Sequence, residues 1–513
     1  MPRVSRLLLL LLPPILVIAG CGCAEAHSFG TIYNLPIPFW MYAFAASATL
    51  ALSFVMVGFF LTAQAAQGNF RSIEIRNALP GVGWSILRGL SVLLLLVTML
   101  SGLFGAQRPF NNFSLTFFWI GFVLGFAYLT ALIGDVYEFI NPWRVLCDAI
   151  ERWRPMAFNG RIRYPAWLGY YPALALYMGF IWLELFGHTT PRSLGMVLLG
   201  YSLLTLAAAA LFGTEAWFRY GEFLAVFFRL LGKMSPIAYV PGRMHGSPTM
   251  VRLRLPFVGL IEESADHPSI LLFVLFMLSS TAFDGVHETL PWVQVFWKYA
   301  YPVLTWAIAR PYAFFVGLYY DWQWLMLWLS PFVYLAIYLV FIQLTKLVTG
   351  SERSLRDLAL QLTYSLIPIA LVYHISHYFT LLFTDGPRLL LLISDPLGAG
   401  WDLFGTAKLL QQPVTVPARL VWHAQVGFIV FGHLVSVYLA HAQALRLFPG
   451  RRKALWSQFP MLVLMVAFTT AGLWILSLPI GAGQVQDPLP TSSASPAARI
   501  AGVMPTVPPA GRA

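Results

Sequence analysis

The sequence predicts an all-α fold, a polytopic bundle of about ten transmembrane helices after an N-terminal signal sequence. Of its 513 residues, 58% are hydrophobic and only 10% are charged, whereas about 25% are charged in an ordinary soluble protein. Apolar runs of about 20 residues, the length of a membrane-spanning helix, recur along the chain. A soluble enzyme is therefore excluded. The net charge of +11 does not indicate nucleic acid as a partner, because basic runs interleaved with stacking aromatic residues are absent.

The N-terminus has the pattern of a secretory signal. Two arginines precede an apolar core, and Ala24-Glu25-Ala26 is a small-x-small cleavage motif. This predicts a signal sequence over residues 1–26 and a mature chain that begins at His27. An N-terminal histidine can chelate a metal such as copper through its amine and its imidazole; the alternative is that His27 merely follows the signal. A second interpretation is a lipobox, Ile18-Ala19-Gly20-Cys21, which would place a lipid on Cys21.

The remaining chain is predicted to form one transmembrane domain over residues 27–481. The apolar stretch at 293–320 is expected to be re-entrant or interfacial, and 216–235 is expected to form an amphipathic helix on the inner surface. Residues 482–513 are rich in Pro, Ala, Ser and Gly and are predicted to be a disordered outer tail. The predicted spans lie near 38–62, 88–105, 113–134, 166–187, 194–215, 268–283, 323–345, 358–383, 420–445 and 458–480.

Basic residues give these spans an orientation. With the mature N-terminus outside, the five inner connections hold 21 Lys and Arg and the outer segments hold 9, with 2 more in the signal. Positive charge prefers the inner side of a membrane and its anionic lipids. The sequence therefore predicts a multi-pass protein with both mature termini outside. Its predicted partner is the lipid bilayer, whose anionic inner leaflet explains the net positive charge.

Ionisable side chains are expensive in a bilayer, so their positions indicate candidate functional groups. His374 and His377 lie three residues apart in the eighth span and therefore on one helical face. The next helix runs antiparallel and brings His423 in at a similar depth. These three imidazoles are candidate ligands of a divalent metal ion, with Zn²⁺ and Cu²⁺ as candidates. The alternative is that each histidine is a packing residue bonded to a neighbouring hydroxyl or carbonyl.

A short acidic segment adds candidates on the outer side. Asp284-Gly285-Val286-His287-Glu288 follows the sixth predicted span and is expected to form an outer turn. His287 is an additional candidate ligand. Asp284 or Glu288 could supply a carboxylate ligand, or the general base for a metal-bound water. The alternative is an exposed loop with solvated charges.

Several segments resemble membrane proteins of the fenitrothion hydrolase family. They are His27-Ser28-Phe29-Gly30 with Leu35-Pro36-Ile37-Pro38, Ser394-Asp395-Pro396-Leu397-Gly398, Trp401-Asp402-Leu403-Phe404-Gly405, and Gly432-His433 through Ala440-His441. The resemblance covers residues 27 to about 445. It implies a bacterial integral membrane protein that hydrolyses organophosphorus triesters such as fenitrothion, together with a partner subunit. It supplies no catalytic residues.

Three functions are compatible with these observations. The first is a membrane-embedded, metal-dependent hydrolase in the bacterial inner membrane that acts on an apolar small-molecule substrate, such as an organophosphorus triester. The second is a copper-handling or respiratory-assembly protein without catalysis. The third is a transporter in which Asp135 and His433 lie along an ion path. Serine-hydrolase elbows, phosphate-binding loops and His-Glu-x-x-His motifs are absent from the sequence.

Overall fold

The architecture is that of a computed structural model, which describes residues 38–60, 72–76, 81–242, 247–406, 409, 416–448 and 450–478. The predicted signal sequence (1–26), His27 and the predicted outer tail (482–513) lie outside the described residues.

Ten helices in the described part of the chain are long and apolar enough to cross a membrane. The predicted helix bundle is thereby confirmed, and the chain is a multi-pass membrane protein. The helices are α1 (Phe39–Phe60), α2 (Gly81–Phe104), α3 (Phe113–Ile133), α4 (Ala166–Phe186), α5 (Pro191–Phe212), α6 (Pro268–His287), α7 (Tyr312–Thr349), α8 (Leu355–Thr384), α9 (Ala418–Leu447) and α10 (Arg451–Ser477).

The helix α6 is the centre of the bundle. Of its most apolar window, 89% is buried, against 22% in α1 and α7. It packs against α4, α7, α8 and α10. A helix that is hydrophobic all round is stable only when other helices or lipid surround it. Polar groups near the end of α6 are therefore held inside protein.

Two of the long helices change their winding near the middle of the span. The middle of α3, Thr116–Phe126, is a π-helix. In α8, a 3₁₀ segment at Thr363–Leu366 separates Leu355–Leu362 from Ile367–Thr384. Pro368 stands in the first turn of the second piece, where its missing N–H breaks no helical hydrogen bond.

Short elements connect the spans. The helical ones are Pro109–Asn111, Tyr137–Ile140, Pro142–Trp153, Thr214–Ala216, Trp217–Gly221, Phe223–Gly232, Gly259–Glu262, Leu290–Gln294, Val295–Ala300, Tyr301–Ala307, Gly386–Arg388 and Leu389–Leu392. Three strands, β1 (Ile73–Arg76), β2 (Ile237–Pro241) and β3 (Pro248–Leu253), form an antiparallel sheet in the order β1-β3-β2. This sheet was not predicted.

Two local expectations were wrong. Residues 284–287 do not form a turn after the sixth span, because α6 continues to His287 and Glu288 is its C-cap. Residues 216–235 do not form one amphipathic surface helix. Most of Phe223–Gly232 is buried against the bundle, because its aromatic and aliphatic side chains join the main core.

The turn before Phe223–Gly232 contains a buried carboxylate. Glu222 is 0% exposed and caps this helix by accepting hydrogen bonds from the backbone N–H groups of Leu224 and Ala225, at 3.1 and 2.8 Å. It also accepts hydrogen bonds from Tyr201 and from the amide of Asn141. Burial raises its pKa. These four donors satisfy a group that would otherwise be costly to bury.

Asp135 follows α3 at the same end of the bundle. It accepts a hydrogen bond from the backbone N–H of Glu138 at 3.1 Å. Burial, reinforced by the Glu138 charge, raises the pKa of Asp135 to about 7, although Arg229 and Lys233 act in the opposite direction. Ion pairs join Arg88 of α2 to Asp148, and within the connections they join Arg144 to Glu215, Lys233 to Glu263 and Arg254 to Glu262.

Candidate functional site

A cluster of ionisable and tyrosine side chains lies where α3, α4, α6 and α8 meet. Five of the residues predicted from the sequence lie in it or at its edge, and Asp284 and His377 are the two at its centre. Asp284 stands in the last turn of α6, and His377 stands in the second half of α8. Because α6 packs directly on α8, residues distant in sequence become neighbours.

The carboxylate of Asp284 is the centre of this cluster. Its Oδ2 atom lies 2.7 Å from Nε2 of His377 and accepts a hydrogen bond of 2.5 Å from the hydroxyl of Tyr378. The side chains of Asp284 and His377 are 15% and 19% exposed. The pair is therefore largely shielded by protein, with a small part of each side chain exposed at the surface of the bundle. Short, charge-assisted hydrogen bonds of this kind are the strong ones in proteins.

His287 lies on the other side of the same carboxylate. Its Nδ1 donates to the backbone carbonyl of Asp284 at 2.8 Å and lies 3.9 Å from Oδ1. The ring stacks on Phe283. This arrangement leaves Nε2 directed towards Glu288, whose Oε1 is 3.9 Å away and whose side chain is 62% exposed. His287 and Glu288 thus form the more open edge of the site.

His374 is on the same face of α8 as His377 but contacts a different side chain. Its Nδ1 lies 3.2 Å from the hydroxyl of Tyr128 on α3. The ring of Tyr378 contacts both imidazoles, with centroid distances of 4.8 Å to His374 and 4.7 Å to His377. The two histidines therefore belong to one polar row but face different helices.

Glu184 contributes a second carboxylate from α4. Its carboxylate lies close enough to Asp284 and His377 for their charges to interact. Together with His374, it lines a small cavity whose other walls are apolar or aromatic. Those walls are Val123, Tyr177, Phe180, Ile181, Phe223, Leu224, Phe227 and Phe228.

His423 does not join the cluster. It is exposed, and its Nδ1 lies 2.7 Å from the backbone carbonyl of Arg419. Gln425 occupies the face of α9 that meets α8, since its amide donates to the carbonyl of Ser376 at 2.9 Å. Two residues along a helix correspond to a rotation of about 200°, so His423 points away from α8.

The predicted metal ligands therefore do not all lie together in the structure. Within the described ranges, no group of three or more His, Cys, Asp or Glu side chains is arranged to hold a metal ion. His377 and Asp284 face each other at hydrogen-bonding distance, whereas two ligands of one Zn²⁺ ion, each about 2.0 to 2.2 Å from it, would stand further apart. The geometry does not fit the predicted three-histidine set. His287, His377, Asp284 and Glu288 are the members that lie together.

Sequence reasoning missed the two tyrosines of the site. Tyr378 follows His377 directly, so its position in an apolar span next to two histidines was a usable signal. Tyr128 carried no such signal, because only the packing of α3 on α8 brings it to His374. Glu184 lies four residues before His188 in the sequence, but the structure places His188 on the surface.

No protein-family model, curated protein or solved structure matches this chain.

Proposed function

We propose that the protein is a membrane-embedded hydrolase of apolar esters, such as organophosphorus triesters, and that Asp284 and His377 activate the attacking water. The observation that carries the proposal is the 2.7 Å contact between the two side chains, in a partly open site near the end of a buried helix. A carboxylate that holds an imidazole in one orientation is a recurrent device for proton abstraction. The resemblance to fenitrothion hydrolases suggests the substrate class.

In the proposed reaction, a water oxygen attacks phosphorus while the water proton passes to Nδ1 of His377, the ring nitrogen that does not face Asp284. The P–O bond to the aryl group then breaks, and the aryloxide leaves. Asp284 stabilises the resulting imidazolium, and Tyr378 keeps the carboxylate in position through its 2.5 Å hydrogen bond. The imidazolium returns its proton to solvent.

The proposal also states on which side of the membrane the site lies. The excess of basic residues in alternate connections supports a multi-pass protein of the bacterial inner membrane with both termini outside. The Asp284 end of α6 would then lie in the outer leaflet, where an apolar ester partitions. The divalent ion expected from the sequence, Zn²⁺ or Cu²⁺, has no assigned site and no step in this reaction, because no group of three or more His, Cys, Asp or Glu side chains in the described ranges is arranged to hold one. A partner subunit belongs to the proposal through the resemblance alone.

Turnover by purified protein in lipid nanodiscs tests this function. An aryl phosphotriester that releases a coloured nitrophenolate is the probe, and the metal content of each sample is measured. General-base catalysis contributes about 10²- to 10⁴-fold, so we expect Asp284→Asn to lower turnover at least about 100-fold. The matched control is Asp321→Asn, which changes an exposed aspartate of α7 and should leave turnover unchanged.

Each outcome has a distinct meaning. Turnover that is unaffected by Asp284→Asn would refute the proposed role of this carboxylate. Bound metal without hydrolysis would refute the hydrolase and favour the copper-handling alternative. Loss of turnover in Asp284→Asn with full activity in Asp321→Asn would support the proposal.

A second candidate function, an ion or proton path, is favoured by one observation. The polar side chains continue beyond the Asp284–His377 pair, through Tyr378 and Glu184 towards His374 and Tyr128. Rows of this kind inside helix bundles mark proton relays and ion pathways. Proton flux into liposomes that contain the protein, abolished by Glu184→Gln, would support this function; absence of flux would contradict it.

A further inference from the structure

A second polar feature lies deeper in the bundle, in a cavity enclosed by α6, α7, α8, α9 and α10. Three polar side chains, Tyr334 of α7, Tyr373 of α8 and His433 of α9, line this cavity, and its other walls are apolar. Tyr373 is 6% exposed and His433 is 3% exposed. The cavity lies outside the site described above and has no role in the proposed hydrolysis.

The orientation of His433 defines what it can bind. Its Nδ1 lies 2.8 Å from the backbone carbonyl of Ile429, which can only accept, so the proton of the neutral ring is on Nδ1. Its Nε2 therefore carries a lone pair and needs a donor. No such donor is found among the residues that the structure describes.

Tyr373 also carries a polar group that requires a hydrogen-bond partner. Its hydroxyl is also buried without a hydrogen-bond partner within the described ranges. A hydroxyl can both donate and accept. A molecule that bridges the two side chains must donate to Nε2 of His433 and also bond to the phenolic oxygen, which water does.

The size of the cavity agrees with water as the occupant. It offers about 30 Å³ to the centre of a water-sized molecule, whereas one water needs roughly 10 to 15 Å³ on the same measure. Buried waters occur where otherwise unpaired polar groups face a common space. An aryl group would not fit into this volume.

We infer that this cavity is a hydration site in which one or two water molecules bridge the hydroxyl of Tyr373 and Nε2 of His433. The inference is independent of the proposed hydrolase activity, because it rests on a different cavity and on different side chains.

The hydration site adjoins the Asp284–His377 pair. The hydroxyl of Tyr373 and Cε1 of His377 both lie within 4 Å of the position that a β-carbon would take on Gly285. That position would also be 2.7 Å from Cγ2 of Ile475, so glycine lets α10 pack closely here. The bound water thus extends the polar row from Asp284 to His433, in the middle of α9.

Radiolytic footprinting of the full chain in nanodiscs tests this site, since X-rays generate hydroxyl radicals from bound water in place. We expect the ring of Tyr373 to be oxidised at least fivefold faster than that of Tyr338, and His433→Leu to remove the difference. Tyr338 is a matched control, because it is 1% exposed and its hydroxyl donates to the carbonyl of Ala359 at 2.9 Å. Equal oxidation of the two tyrosines in the unmodified protein would overturn the inference.

The thermal midpoint of Tyr373→Phe gives an independent measurement, since this variant keeps the ring and should fold. Loss of a bridged hydroxyl should lower the midpoint by several degrees, and the drop should vanish in the His433→Leu background. In a dry cavity, removal of an unpaired hydroxyl would leave the midpoint unchanged or raise it. Either of those two results would overturn the inference.

Discussion

The contact between Asp284 and His377 should make a measurable contribution to stability. Asp284→Asn keeps the size of the side chain but removes its charge. The carboxylate accepts hydrogen bonds from His377 and Tyr378 at 2.7 and 2.5 Å. Hydrogen bonds to charged groups contribute about 1.5 to 3 kcal/mol each, and an amide oxygen replaces only part of this. We therefore expect Asp284→Asn to lower the free energy of unfolding by about 3 kcal/mol.

A double-mutant cycle separates this contact from general damage. His377→Gln alone should also destabilise the protein, but the double variant should be less destabilised than the sum of the two single variants, by about 1 to 3 kcal/mol. Unfolding by SDS from mixed micelles, followed by tryptophan fluorescence, provides the measurement. The exposed Asp321→Asn control should change stability by less than about 0.5 kcal/mol. Strict additivity in the cycle would refute the direct contact.

Three further predictions concern the opposite end of the bundle. Asp135 has a pKa raised from 3.8 to about 7, so the folded state keeps a proton that the unfolded chain releases, and stability should fall as pH rises from about 4 to 7. Asp135→Asn should therefore raise the thermal midpoint at pH 8 but not at pH 4; equal shifts at both values would contradict the raised pKa. Glu222→Ala removes a helix cap and leaves buried donors unpaired, so it should lower the free energy of unfolding by about 3 kcal/mol. The control Glu352→Ala changes an exposed glutamate and should have no effect. Similar losses in both variants would contradict the role of Glu222 as a buried helix cap. Burial raises the pKa of the Cys147 thiol to about 12, so maleimide should label it roughly a thousandfold more slowly in the folded protein than after unfolding in SDS. Cys147→Ala gives the background labelling. Rapid labelling of the folded protein would contradict the burial of this thiol.

Most of the fold could be predicted because a bilayer allows few solutions. An apolar run of about 20 residues must satisfy its backbone internally, and a helix does so at once. The bounds of the seventh span were harder to predict, since the sequence indicated 323–345 whereas the helix covers Tyr312–Thr349. Residues 312–320 were assigned to the separate apolar stretch at 293–320, but they continue this helix without a break. The strands β1–β3, at four to six residues each, were too short for their pattern to stand out.

The candidate site was only partly predictable, because depth in the membrane and direction of a side chain are separate quantities. Spacing placed His374 and His377 on one face of α8, and both do belong to the same polar row. Depth also placed His423 near that level. Helix rotation decides contact, however, and Gln425 rather than His423 faces α8. Rotation depends on how whole helix surfaces pack, which no local pattern in this sequence reveals.

The turnover of His377→Gln relative to that of His423→Gln tests the central claim most directly, because the two substitutions are chemically identical and differ only in where the structure places the histidine. Both variants are assayed in nanodiscs with the same aryl phosphotriester. If the Asp284–His377 pair is the reacting centre, His377→Gln should lose at least about 100-fold in turnover, and His423→Gln should stay within about twofold of the unmodified protein, since surface substitutions away from a site have small effects. Loss of turnover in His423→Gln with full activity in His377→Gln would contradict the account.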